Sequence, residues 1–120
     1  MKNILVTGGA GFIGSNLVIR LVADGYNVVV IDDLSTGNIN NLHGVRESIE
    51  FLERDLSNVK ISFLAYTLKS RNIDTVFHLA ALARVQPSIE DPITFNNINV
   101  NGTLNLLFAS SCRALVTTLI

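Results

Sequence analysis

The segment GGAGFIG, at positions 8–14, constrains this chain more than any other. It follows the short apolar run NILVT at 3–7, which reads as a buried strand. It runs into a stretch where Ile13, Leu17 and Leu21 recur at i, i+4 and i+8, with Val18 and Val22 beside them, one face of a helix. Glycine loses more conformational freedom on folding than any other residue. Four glycines in seven positions between a strand and a helix therefore mark a turn that needs unusual backbone angles, a close approach, or both.

The rest of the chain alternates in the same manner. Gly25 closes the first helix as a residue just past its end. YNVVVID at 26–32 is a second strand, and 33–48, rich in Asn, Gly and Ser, reads as a loop with room for one helical turn. IEFLERD at 49–55 holds a short third strand, and Val59, Phe63, Leu64 and Leu68 mark a helix over 58–71. TVFHLA at 75–80 is a fourth strand. Asp91-Pro92 sets a good capping residue before proline at a first helical position. The helix it opens carries Phe95, Ile98, Val100, Leu104, Leu107 and Phe108 and runs to about Ser111, and ALVTTLI at 114–120 is a fifth strand. The order β-α-β-β-α-β-α-β predicts an α/β fold, a doubly wound parallel sheet of Rossmann type. The expected strand order is 3-2-1-4-5, most of such a sheet in one domain over residues 1–120.

Composition agrees and excludes other classes. With 48% hydrophobic and 16% charged residues, the chain suits a sheet covered by helices, or a piece of a larger protein with one face left uncovered. The net charge of −1, without a basic stripe, argues against a nucleic-acid partner. No apolar run reaches membrane-spanning length, and the start lacks a signal-peptide pattern. Cys112 is the lone cysteine, so a cytoplasmic location is expected. No metal site is expected.

Gly9-Ala10-Gly11-Phe12-Ile13-Gly14 fits G-x-G-x-x-G, and Gly8, Gly11 and Gly14 fit the related G-x-x-G-x-x-G spacing. Asp32 lies 18 residues beyond Gly14, at the end of the next strand. Strand, turn, helix and acid together point to a dinucleotide. Free N–H groups at the helix start, around Phe12 and Ile13, would face the pyrophosphate with the positive end of the helix dipole. Gly14 would let the helix pack close to the first strand. The Asp32 carboxylate would accept hydrogen bonds from the adenosine ribose and repel a 2′-phosphate, favouring NAD over NADP.

TGGAGFIGSNL, IDDLSTG, FHLAA and NVNGTLNLL, in that order, resemble the extended short-chain dehydrogenase/reductase family, and within it the NAD-dependent nucleotide-sugar epimerase/dehydratase branch. The resemblance runs from Met1 to about Ala109. It implies that Gly8, Gly11, Phe12, Ile13 and Gly14 form the pyrophosphate loop and that Asp32 binds ribose. Asp33, Leu34, Ser35 and Thr36 would wrap the adenosine end, and Asp55 and Leu56 would border the adenine. Leu79, Ala80 and Ala81 would let the cofactor lie against the backbone, and Asn99 would support the strand ends near the nicotinamide. Plainer roles compete: Asp33–Thr36 as a solvated loop, Asp55 as a helix cap near Asn58, Asn99 as a partner of nearby backbone. His78 reads as a packed core histidine, and His43 and Arg84 as surface residues.

Catalysis in this family falls to a Tyr-x-x-x-Lys pair. The only tyrosines are Tyr26 and Tyr66, followed four positions on by Val30 and Ser70, so no catalytic residue is assigned. The resemblance implies a nucleotide-sugar substrate bound by a further domain. The readings are the NAD-binding portion of such an enzyme, inactive alone; a non-catalytic module docking on another chain; and a sibling sugar reductase or dehydrogenase. The uncharged run after Arg113 and the apolar content also lead us to expect self-association.

Overall fold

The structure, a computed structural model, describes residues 2–112 and 118–120. Five parallel strands form one sheet in the order β3-β2-β1-β4-β5. They are β1 (Asn3–Thr7), β2 (Asn27–Asp32), β3 (Ile49–Glu53), β4 (Thr75–His78) and β5 (Thr118–Leu119). The expected strand order holds. Residues 114–117 of the expected fifth strand lie outside the described residues.

Side-chain alternation along the central strands splits the core in two. Ile4, Val6, Val28 and Val30 point to one face, where they meet Val18 and Leu21 of α1 (Phe12–Ala23). Leu5, Val29, Ile31 and Val76 point to the other. There they meet Leu64 and Leu68 of α2 (Ile61–Ser70) and Leu106 and Ala109 of α5 (Gly102–Ser111). A strand buried on both faces has no polar side to spare, which is why VVVI in β2 is continuous.

α1 ends as the sequence implies. Gly25 has φ +89, its N–H reaches the Val22 carbonyl, and the Tyr26 N–H reaches that of Leu21, a Schellman closure. The Asp91 carboxylate caps α4 (Pro92–Asn96) by accepting the Thr94 N–H. The helix opened there continues through a π-helical turn, Asn97–Asn101, into α5.

Four expectations change. The segment 33–48 is more structured than a loop: Ile39–Ser48 forms 3-10 turns whose Leu42 is buried against the α1 face. The fourth strand ends at His78, because Leu79 and Ala80 turn to bond Thr7. A short helix, α3 (Val85–Glu90), precedes Asp91; its Pro87 and lack of buried residues hid it. The last helix buries the small residues Gly102 and Ala109 around Leu106, while Val100, Leu104, Leu107 and Phe108 face outward.

Candidate cofactor site

The carboxyl ends of β1, β2, β3 and β4 open into one cleft of about 360 Å³. Every site residue expected from the sequence lines it except Leu34 and Asn99. This is the edge of an open α/β sheet where ligands bind.

Backbone sterics build the first wall. Gly8 has φ +69, and a Cβ there would stand 2.7 Å from the Ala80 nitrogen, so the glycine turn and the turn after β4 touch. A Cβ on Gly14 would overlap the Gly8 carbonyl oxygen, which fixes α1 hard against the end of β1. Gly11 differs. It is the N-cap of α1, with φ −77, and a Cβ would meet only the Gly8 oxygen at 3.4 Å. The protein itself therefore does not require glycine at position 11. No side chain caps α1, so the first N–H groups of Phe12, Ile13 and Gly14 keep their hydrogen-bonding capacity at the cleft. Phe12 and Ile13 are 85% and 70% exposed, so Ile13 belongs to the cleft rather than to the buried face of α1.

Asp32 is buried, and both its oxygens are engaged. Oδ2 accepts the Ala10 N–H at 2.9 Å and Oδ1 accepts the Leu34 N–H at 2.8 Å. The acid thus ties the glycine turn to the loop after β2. Each oxygen retains a further lone pair for a hydroxyl donor. Leu34 supplies that N–H from a left-handed φ of 60°, and its side chain packs on the α1-side core instead of lining the cleft.

Two matching turns flank the cleft beyond Asp32. Asp33 accepts Ser35 N–H at 3.0 Å and Ser35 Oγ–H at 2.7 Å; Asp55 accepts Ser57 N–H at 2.9 Å and Ser57 Oγ–H at 2.7 Å. Short polar side chains that bond backbone two residues on stabilise such turns. Asp55 therefore caps no helix, since α2 starts at Ile61. Thr36 and Leu56 line the cleft between these turns.

Leu79, Ala80 and Ala81 form the opposite wall. Asn99 does not line the cleft but grips that wall from behind: Oδ1 accepts the Leu82 N–H at 2.7 Å and Nδ2 donates to the Leu82 carbonyl at 2.9 Å. His78 is half-buried between Thr7 and Thr103, each 2.7 Å from a ring nitrogen, and burial lowers its pKa. Arg84, at the N-terminus of α3, holds φ 106 and is exposed, as is His43.

Sequence reasoning missed several lining residues. Arg54 reaches the cleft with its guanidinium 5.1 Å above the Phe63 ring and Nη1 bonded to the Glu53 carbonyl. Its place beside Asp55 at a strand end was the available signal. Ile98, brought in by the π-helical turn, and Gly37, packed on Ala10, had none. Neither Tyr26 nor the exposed Tyr66 lines the cleft.

The family described as GDP-mannose 4,6 dehydratase matches residues 5–117. A UDP-glucose 4-epimerase of Mycolicibacterium smegmatis is 44% identical over 108 residues, covering 88% of this chain and 34% of that protein. The crystal structure of UDP-glucose 4-epimerase with UDP-glucose from Thermotoga maritima superposes with a TM-score of 0.88 at 38% identity, covering 98% of this chain and 36% of that one. The Thermus thermophilus UDP-glucose 4-epimerase complex with NAD gives 0.83 at 40% identity, with coverage of 98% and 36%. The chain spans about a third of the length of the curated relatives it matches. With its sheet order and glycine turn in hand, these likenesses settle the lineage: the chain belongs to the GDP-mannose 4,6 dehydratase family of NAD-dependent epimerases and dehydratases, and it is similar to the N-terminal part of UDP-glucose 4-epimerase.

Proposed function

We propose that the chain binds NAD in this cleft, as the cofactor-holding part of a nucleotide-sugar epimerase or dehydratase. The observation that carries the reading is the convergence of the uncapped α1 N-terminus, the buried Asp32 and the backbone of Leu79–Ala81 on one cleft. The Thermus relative was crystallised with NAD and the Thermotoga one with UDP-glucose, which supports both halves of the reading.

In this reading the Phe12, Ile13 and Gly14 amides bind the pyrophosphate, with Gly8 and Gly11 leaving room for it. Asp32 accepts the ribose hydroxyls. Asp33, Ser35, Thr36, Asp55 and Leu56 border the adenosine, and Leu34 holds Asp32 in place. Leu79, Ala80 and Ala81 lie along the cofactor, with Asn99 supporting them through Leu82. Bound NAD supplies a hydride acceptor at its nicotinamide. The described residues bind and orient; none among them is placed for the proton transfer that epimerisation also needs, since neither tyrosine has the lysine partner or lines the cleft. Residues 1–120 thus act as one NAD-binding unit without turnover of their own.

The same reading places the chain in the cytoplasm, in keeping with the free, exposed Cys112. It also has the chain self-associate, supported by the outward-facing Val100, Leu104 and Phe108. Calorimetric titration of the chain with NAD and NADP tests the central assignment. NAD is expected to bind more tightly, and equal affinities would overturn it. Incubation with NAD and UDP-glucose should yield no UDP-galactose; turnover above that of a Gly11→Val control would show that another residue performs the chemistry.

A further inference from the structure

The hydrogen bonds around His78 form a continuous series from the turn after β4, through the imidazole, to Asn99. The Thr7 hydroxyl accepts the Leu79 N–H at 3.1 Å and the Ala80 N–H at 3.2 Å. A hydroxyl has two lone pairs and one hydrogen. The Leu79 N–H is shared with the Thr7 carbonyl, also at 3.1 Å, so the Ala80 N–H is the amide that relies on the hydroxyl alone. With these amides on its oxygen, the Thr7 hydroxyl turns its hydrogen to His78 Nδ1, 2.7 Å away, which is then an unprotonated acceptor. The imidazole proton sits on Nε2 and is donated to Thr103 Oγ1 at 2.7 Å. Thr103 passes its own hydrogen to the Asn99 carbonyl at 2.6 Å. The Asn99 side chain in turn holds Leu82 by both its N–H and its carbonyl.

The series therefore anchors the cleft wall at two points, Leu79–Ala80 through Thr7 and Leu82 through Asn99, and among the described side chains His78 links them. The wall it holds touches the Gly8 turn so closely that a Cβ there would meet the Ala80 nitrogen. We propose that His78, neutral and protonated on Nε2, is a positioning residue that sets the Leu79–Leu82 wall against the glycine turn. The part of this that concerns affinity rests on the NAD reading above.

Charging His78 would put a hydrogen on Nδ1, facing a hydroxyl whose oxygen already takes the Leu79 and Ala80 amides, of which only Leu79 has the Thr7 carbonyl to fall back on. Either the turn amides lose Thr7, or a half-buried hydrogen goes unpaired. The groups facing the ring are the Thr7 hydroxyl from β1 and the Thr103 hydroxyl from α5, and burial is the one cause of its lowered pKa, so no charged group among the described residues opposes this.

Nitrogen-15 NMR of the chain's imidazoles reads the tautomer directly. A neutral Nε2–H form at pH 7 is expected, and an Nδ1–H form or a charged ring would overturn the proposal. Three variants test the wall. His78→Phe removes both ring hydrogen bonds and so uncouples the two anchors, His78→Asn leaves an amide oxygen near the Nδ1 position, and Thr103→Val cuts the Nε2 side alone. His78→Phe should bind NAD about tenfold more weakly or worse, as for loss of one buried hydrogen-bond partner, and His78→Asn should stay within about threefold of the parent. Amide exchange at Leu79 and Ala80 should accelerate in the same order. Thr103→Val should admix the Nδ1–H tautomer and loosen both amides, which keeps the proposal testable should His78→Phe not fold. Unchanged tautomer and exchange in Thr103→Val, or equal loss in Asn and Phe variants, would overturn it. A parent chain that fails to bind NAD would refute the cofactor reading while leaving the tautomer and exchange measurements to decide this one.

Discussion

The two walls of the cleft are built by different physics. The wall formed by Gly8–Gly14 and Asp32 is backbone against backbone, with one carboxylate as a tie. The wall formed by Leu79–Leu82 has one backbone bond, Leu79 N–H to the Thr7 carbonyl, and otherwise hangs on side chains, namely Thr7, His78, Thr103 and Asn99, drawn from β1, β4, the π-helical turn and α5. Steric exclusion is short-ranged and all-or-none, whereas a hydrogen-bonded series can lose one member and relax. The first wall should therefore fail abruptly when altered, and the second by degrees.

The largest effects should come from the glycines, and they should separate into two kinds. Gly14→Val places carbon into the Gly8 carbonyl and should destabilise the fold by about 3 kcal/mol or more, as for severe overpacking. Urea unfolding would show this without any ligand. Gly11→Val meets little inside the protein. Its unfolding midpoint should stay near the parent value while NAD binding is lost. A folded Gly11→Val chain that still binds NAD would break the assignment of the first wall to the pyrophosphate.

Asp32→Ala comes next and mixes the two kinds. Loss of a charged hydrogen-bond partner of the ribose is worth about 1.5–3 kcal/mol, or roughly ten- to a hundredfold in NAD affinity, with the preference over NADP reduced. The structure adds a second cost, because the Ala10 and Leu34 amides lose their acceptor. Affinity and unfolding midpoint should fall together here, unlike in Gly11→Val. A drop in stability with no change in the NAD-to-NADP ratio would make Asp32 a purely structural tie.

The contrast also explains what the sequence disclosed. Strand, glycine turn, helix and Asp32 are contiguous in the chain, and their requirements are local: allowed angles, helix polarity, side-chain alternation. Those are legible at fixed spacing, and the strand order followed from them. The second wall was legible only in part. Leu79–Ala81 came through a resemblance, and Asn99 was placed near the right strand ends without its partner, Leu82, being foreseen. His78 was read as a packed core residue because nothing in one sequence shows that Thr7 and Thr103, 71 and 25 positions away, meet its two nitrogens. α3 and the 3-10 turns carry few buried residues, so the hydrophobic pattern that reveals helices is weak in both.

Asn99→Ala probes the second wall from its far end. Leu82 would lose the partners of both its N–H and its carbonyl, at about 1–3 kcal/mol for a buried group and less here because Leu82 is only half-buried. NAD affinity should fall less than in Asp32→Ala, since Thr7 still holds Leu79 and Ala80. A loss matching that of Asp32→Ala would mean that the two walls are equally rigid.

The smallest effect should be on acid stability. Burial holds the pKa of His78 below its ordinary value of about 6.5, so the unfolded chain takes up a proton at this residue more readily than the folded one. The stability this contributes is complete above that ordinary value and drains away as pH falls below it toward the folded pKa. The direction is a decline on acidification. Carboxylates act lower down. The hydrogen bond from Arg71 lowers the pKa of Glu50, and that from Thr94 lowers the pKa of Asp91, so their contributions are present above the ordinary carboxylate range of about 4 and are lost as pH falls below it toward the lowered folded values. Unfolding midpoints measured from pH 7.5 down to about 3 should therefore fall in two stages. His78→Asn should remove the upper stage and keep the lower one, because asparagine cannot take up a proton. If the upper stage persists in His78→Asn, another group titrates there, and the second wall is not the acid-sensitive part of the cleft.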